Sequence, residues 1–145
     1  MIREYAEADL ECTAKVWLRS GQDEYYYLPA FQELNEETAV DVFRHVIQDK
    51  CRIWVHESGE KVNGFMAMNN NLIDRLYIDP LHQGTGIGSL LINHAKELFP
   101  GGITLKTHKK NTYACRFYEK RGFRPVAYGV SPAPESMPDI EYRWP

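Results

Sequence analysis

The spacing of apolar positions changes period along the chain, and each change predicts an element. Residues 2–5 read as a short strand. Leu10, Ala14, Trp17 and Leu18 then recur at helical spacing, with Asp9 at the N-cap position and Gly21 as the stop. The aromatic stretch Tyr25-Tyr26-Tyr27-Leu28-Pro29 reads as a loop or an irregular helix end. A second helix spans about 35–49, with Ala39, Val42, Phe43, Val46 and Ile47 on one face. The texture then turns strand-like. Residues 51–57 and 62–68 form a hairpin across Ser58-Gly59-Glu60. A third strand, 72–78, follows Asn69-Asn70-Asn71 and stops at Asp79-Pro80, because proline cannot continue the ladder.

Helical spacing returns after the glycine-rich segment 81–88. Ile87, Leu90, Leu91, His94, Ala95 and Leu98 share a face, and Pro100-Gly101-Gly102 ends the helix. A strand at 103–107 leads to a helix at 111–121, with Ala114, Phe117 and Tyr118 on one face and Gly122 as C-cap. Residues 125–130 form a strand, and 131–138 a proline-rich loop. Ile140, Tyr142 and Trp144 alternate with Glu141 and Arg143, the pattern of a half-exposed final strand. The order is β, α, α, β, β, β, α, β, α, β, β. It predicts an α/β or mixed α+β fold with a meander in the middle and crossover helices later. No repeat or linker divides the chain, so residues 1–145 are expected to form one domain.

Composition narrows the possible partners. Seventeen Lys and Arg against 20 Asp and Glu leave a net charge of −3, without the basic excess of a backbone-reading nucleic-acid binder. Hydrophobic content of 43% with 26% charged residues is ordinary for a globular chain. No apolar run approaches the ~18 residues of a membrane helix, and the charged start Met1-Ile2-Arg3-Glu4-Tyr5 argues against a secretory signal. Cys12, Cys51 and Cys115 are odd in number and far apart. They argue against a disulfide scaffold and fit a reducing cytoplasm. His45, His56, His82 and His94 show no metal-ligand spacing with one another or with cysteine, so no metal is expected.

The most informative segment is Gln83-Gly84-Thr85-Gly86-Ile87-Gly88, set between a strand and a helix. Glycines admit positive φ and close backbone approach to a ligand. The first N–H groups of a helix lack internal partners and attract phosphate. A tight turn that lets the helix pack near the sheet is the other reading of the glycines alone. A Walker loop would need Gly-Lys-Ser/Thr, but the chain continues Gly88-Ser89-Leu90. A dinucleotide fingerprint would need a third glycine where Ser89 stands. It would also need an acid about 20 residues on, where Thr104-Leu105-Lys106-Thr107 stands.

A second constellation follows the next strand: Asn111, Ala114, Phe117-Tyr118 and Gly122-Phe123. Together, Gln83-x-x-Gly86-x-Gly88 and this N-x-x-A-x-x-F-Y-x-x-x-G-F pattern resemble the GCN5-related N-acetyltransferases. Leu76-Tyr77-Ile78-Asp79-Pro80 resembles that family's central strand and exit. The close resemblance covers residues 72–123. It implies a splayed mixed sheet of six to seven strands flanked by four helices, with acetyl-CoA as co-substrate in the gap. It also implies that main-chain groups of Leu76, Tyr77 and Ile78 hold the pantetheine and acyl carbonyl. Amides from Gln83 through Gly84, Thr85, Gly86, Ile87 and Gly88 to Ser89 would take the pyrophosphate. Asn111 would bond the CoA arm beside Ala114 and Phe117, and Tyr118 would point at the sulfur.

Acetyl transfer to an amine needs a proton acceptor, because a lysine-like ammonium has a pKa of ~10.4. It needs donors for the thioester oxygen. The thiolate also needs a partner, and a phenol of pKa ~10 can keep its proton while bonding sulfur. Tyr118 is therefore the candidate general acid, although alone its place on an apolar face reads as core. Asp74 on the central strand is the first candidate base, with a structural pair to Arg75 or Arg52 as the other reading. His108 is a weaker candidate. Cys115 offers a conceivable covalent route, against which stands the habit of free cysteine to act as a small buried hydrophobe. The family's acceptor site is usually built from the first two helices, their linker and the loop before the last strand. Here that linker offers Tyr25, Tyr26, Tyr27 and Phe31 as a pocket wall, with Asp23 and Glu24 to attract a cationic amine; a plug over the sheet or a dimer surface is the other reading. The expected function is acetyl transfer to a primary amine of a small molecule by a monomer or homodimer. A protein or peptide acceptor ranks second for lack of room for an acidic groove. A non-catalytic acyl-CoA sensor ranks third, because Tyr118 and the glycine turn are intact.

Overall fold

The computed structural model describes residues 1–133 and 135–145. Seven strands form one sheet: β1 (Ile2–Glu4), β2 (Arg52–Ser58), β3 (Lys61–Asn69), β4 (Leu72–Ile78), β5 (Ile103–His108), β6 (Arg124–Val130) and β7 (Pro138–Trp144). Their order is β1-β2-β3-β4-β5-β7-β6. Every pair is antiparallel except β4 with β5. The helices are α1 (Leu10–Glu24), α2 (Pro29–Gln32), α3 (Glu36–Val42), α4 (Ile87–Leu98) and α5 (Thr112–Lys120).

Both sheet faces are covered, and β3 shows how. Phe65 and Ala67 pack with Ala14, Trp17, Phe43 and Ile47 of the α1 and α3 side. Met66 and Met68 pack with Leu91, Ile92, Ala114 and Tyr118 of the α4 and α5 side. A strand buried on both faces reads as a continuous apolar run, which is why 62–68 lacks strict alternation.

The structure corrects several boundaries. Gly21 does not end α1, which runs on to Glu24. A Cβ at Gly21 would lie 2.1 Å from the Phe31 ring, so this glycine admits a neighbour rather than stopping a helix. Asp9 holds the N-cap position of α1 as expected, but its side chain makes no capping hydrogen bond to that helix. Its carboxylate accepts from the Ala6 amide at 2.8 Å and pairs with Arg3, which also holds Glu57. Within the aromatic linker, Pro29 opens the one-turn α2, a fifth helix beside the four expected. The expected helix at 35–49 is α3, capped by the Asn35 side chain, continued by a π-helical turn at Phe43–Gln48.

The feature that creates the site is a failure of pairing. Strands β4 and β5 are joined only at Leu72↔Thr104 and Ile73↔Leu105. Asp74 then forms a bulge, because Ala67 pairs with Arg75 while Met68 pairs with Ile73. Bulges bend and twist a strand. Beyond this point β4 keeps its partner β3 up to Gly64↔Ile78 but has none on the β5 side.

Candidate active site

The splay opens two clefts that meet. One, of about 340 Å³, is bordered by Leu76, Tyr77 and Ile78 of β4, by the glycine turn, and by Asn111, Phe117 and Arg121 around α5. The other, of about 420 Å³, is bordered by Tyr25, Phe31, Asp74, Arg75, His108 and the loop before β7. Five residues border both: Glu24, Leu76, Tyr77, Ala114 and Tyr118. They form the throat.

The glycine turn is built for a main-chain contact. Gly84 and Gly86 have φ of +76° and +89°, with open space where a side chain would stand. Gly86 is the N-cap of α4, and no side chain caps that helix. The first amides of α4 therefore face the cleft with the positive end of the helix dipole. Gly88 has a different reason: a Cβ there would lie 2.8 Å from the Phe117 ring, so it lets α5 come close. Thr85 lies in the turn but outside the cleft lining, its hydroxyl donating to the His82 carbonyl at 2.5 Å. Gln83 lines the cleft and donates to the Ile78 carbonyl at 3.3 Å. Arg121, absent from the expected site residues, donates to Ser89 Oγ at 3.0 Å and covers Phe117 at 3.7 Å. It brings a cation to the amide-rich end. Arg121 is itself the C-cap residue of α5, just before Gly122, and that place gave no signal in the sequence.

Glu24 and Tyr118 are the titratable throat residues on α1 and α5, and Asn111 adjoins them from the smaller cleft. Asn111 caps α5 by accepting from the Ala114 amide at 3.1 Å, and its Nδ2 donates to the Glu24 carboxylate. Burial pushes the Glu24 carboxyl above its ordinary range; the Asn111 donor pulls it partly back, and Asp23 adds to the rise. Tyr118 is 9% exposed, its ring packed on Phe117, Phe123 and Tyr142. Burial, then the nearby Glu24 charge, raises its phenol, which stays protonated at neutral pH. Core packing and access to the throat thus belong to the same residue. Tyr77 is raised by the same two causes.

The acceptor-side expectations divide. Tyr25 stacks on Phe31 at 5.9 Å, and both border the larger cleft. Tyr26 is 70% exposed and borders the other cleft. Tyr27 borders neither: its hydroxyl meets His108 Nδ1 at 2.9 Å, with Lys110 over its ring. His108 Nε2 lies 3.4 Å from Glu135, so both its nitrogens are engaged. Asp74 borders the larger cleft only, 3.7 Å from Arg75 Nη1. Cys115 is buried under the His108 carbonyl and borders neither cleft. Among the described residues, no group of three or more His, Cys, Asp and Glu could hold a metal ion, and no helix is long and apolar enough to cross a membrane.

The sequence model of the Acetyltransferase (GNAT) family matches residues 4–123. The chain is 33% identical over 126 residues to the peptidyl-lysine N-acetyltransferase YjaB of Salmonella typhimurium, covering 85% of this chain and 82% of that protein. It superposes on the solution structure of apo YjaB from Escherichia coli with a TM-score of 0.81 and 26% identity, over 99% of this chain and 95% of the other. PaiA N-acetyltransferase from Thermoplasma acidophilum, solved in complex with coenzyme A, shares the fold at a TM-score of 0.68 and 20% identity, over 97% and 96% of the two chains. The splayed sheet, the glycine turn and these matches agree: this chain belongs to the GNAT acetyltransferase family and is an acyltransferase enzyme.

Proposed function

We propose that this enzyme moves an acetyl group from acetyl-CoA to the side-chain amine of a lysine in a peptide or protein. The observation that carries the reading is the pair of clefts meeting at Tyr118. The smaller cleft suits the cofactor. Open amides from Gly86 to Ser89, with Arg121, suit the diphosphate, and the unpaired β5 side of Leu76, Tyr77 and Ile78 suits an amide-rich arm. Amides there can also accept the charge that grows on the thioester oxygen.

The larger cleft favours a peptide over the small-molecule amine expected from the sequence. Glu24, Asp74, Glu135 and Asp139 border it, against Arg75 and Lys106, and the splay itself supplies the room. Relatives named as peptidyl-lysine N-acetyltransferases support the same choice. Attack by the neutral amine forms the C–N bond and breaks the C–S bond. The protonated Tyr118 hydroxyl donates to the departing sulfur and passes it the surplus proton of the nitrogen. Asp74, bordering only the acceptor cleft, suits attraction of the incoming cation.

The test is thiol release with acetyl-CoA over lysyl peptides and free amines, with mass spectrometry of the products. Acetylated lysine side chains are expected. Turnover confined to free small amines overturns the peptide reading, and binding without turnover on any amine restores the sensor reading.

A further inference from the structure

We propose that the Glu24 carboxylate takes the proton from the acceptor ammonium, and that Asn111 positions it. The proposal rests on the acetyl-transfer reading above, but not on whether the acceptor is a peptide. Of the five residues bordering both clefts, Glu24 alone carries a carboxylate. A base for this reaction must reach the nitrogen where it meets the thioester, and the throat is that place. The other candidates stand aside. Asp74 and His108 border the acceptor cleft alone, Asp74 beside Arg75 and His108 held between Tyr27 and Glu135. Tyr77 and Tyr118 are phenols raised by burial, so they hold their protons.

The geometry around Glu24 is specific. It is the last residue of α1, one turn past Gly21, where the Phe31 ring fills the space a side chain would take. The Nδ2 of Asn111 holds its carboxylate while the Oδ1 caps α5, which fixes the amide's orientation. The charged and titratable groups around it are Asp23 and Tyr25 beside it on the chain, Tyr27 in the linker, Tyr77 on β4 and Tyr118 on α5. His82 and Arg121 face the throat across the cofactor cleft. Asp74, Arg75, Lys106, His108, Glu135 and Asp139 face it across the acceptor cleft. Burial leaves the carboxyl a stronger proton acceptor than an exposed one.

The step balances. An ammonium N–H gives its proton to a Glu24 oxygen, and the freed lone pair attacks the thioester carbon. The C–N bond forms, the C–S bond breaks, and the nitrogen's remaining surplus proton reaches sulfur through Tyr118. Glu24 then returns its proton to water through the open cleft.

The experiment compares wild type with Glu24→Gln on whichever amine of the panel turns over. The glutamine keeps an acceptor for Asn111 and loses the base. At neutral pH kcat/KM should fall about 100-fold or more. The deficit should shrink as pH rises toward the amine pKa of ~10.4, where the free amine no longer needs a base. The acetyl-CoA Kd should hold. Carboxyl carbon NMR of the ligand-free protein should show the resonance lost in Glu24→Gln titrating above the ordinary ~4.3 of glutamate. An unchanged rate, or an equal deficit at every pH, overturns the proposal; so does ordinary titration of that resonance. Wild-type turnover on small amines alone overturns only the peptide reading.

Discussion

At the residue scale, Tyr118 joins two roles that usually compete for one side chain. Its ring closes the core against Phe117, Phe123 and Tyr142, while the residue borders both clefts. Tyr118→Phe keeps the ring and removes the hydroxyl. It should fold as wild type and bind acetyl-CoA unchanged, with kcat down about 100-fold; an unchanged kcat removes the role. Glu24 illustrates the opposite balance. Its folded-state pKa lies above the unfolded value, so the folded chain binds more protons. This carboxyl therefore lowers stability as pH rises from ~4.3 through its raised midpoint, and the loss is complete above that midpoint. Glu24→Gln should melt higher than wild type at neutral pH, with the gain vanishing below pH ~4. An equal melting temperature at pH 7 contradicts the burial argument. Asp9 runs the other way, held low by Arg3. Its contribution is present at neutral pH and lost as pH falls through the folded pKa.

At the element scale, the turn before α4 separates glycines by reason. Gly86 is needed for its backbone conformation and Gly88 for space. Gly86→Ala should strain the turn by ~1–2 kcal/mol and raise the KM for acetyl-CoA with kcat held. Gly88→Ala should push α5 away through Phe117 and lower the melting temperature, and Phe117→Leu should restore part of it. If both alanine variants behave alike, the distinction fails. Helices α4 and α5 were legible because their apolar residues recur at helical spacing, and the strands because short apolar or alternating runs stand between turn residues. The end of α1 was not, since Gly21 reads locally as a stop and only the Phe31 ring explains it. Nor was α2, whose four residues are too few to show a period.

At the scale of the whole molecule, a net charge of −3 says little, but its distribution says more. Carboxylates from α1, β4, β7 and the loop before β7 converge on one cleft although they are distant in the chain. Screening at ~0.15 M salt acts over about 8 Å. The KM for lysyl peptides should therefore rise with salt while kcat stays level. Glu135→Gln with Asp139→Asn should raise that KM several-fold at low salt and leave the acetyl-CoA KM alone. Peptide kinetics indifferent to both changes would remove electrostatic capture from the account.

The sequence by itself determined the order of the strands and of the longer helices, the family and the glycine-rich turn before α4. Each is written in contiguous residues: a hydrophobic period, a glycine spacing, the run from Asn111 to Phe123. Tertiary structure decided where β4 and β5 part, that Tyr26 and Tyr27 do not border the larger cleft, and that Glu24 meets Asn111 across 87 positions of chain. A throat between two clefts is a relation among segments far apart in the chain, and local periodicity carries no information about such distances.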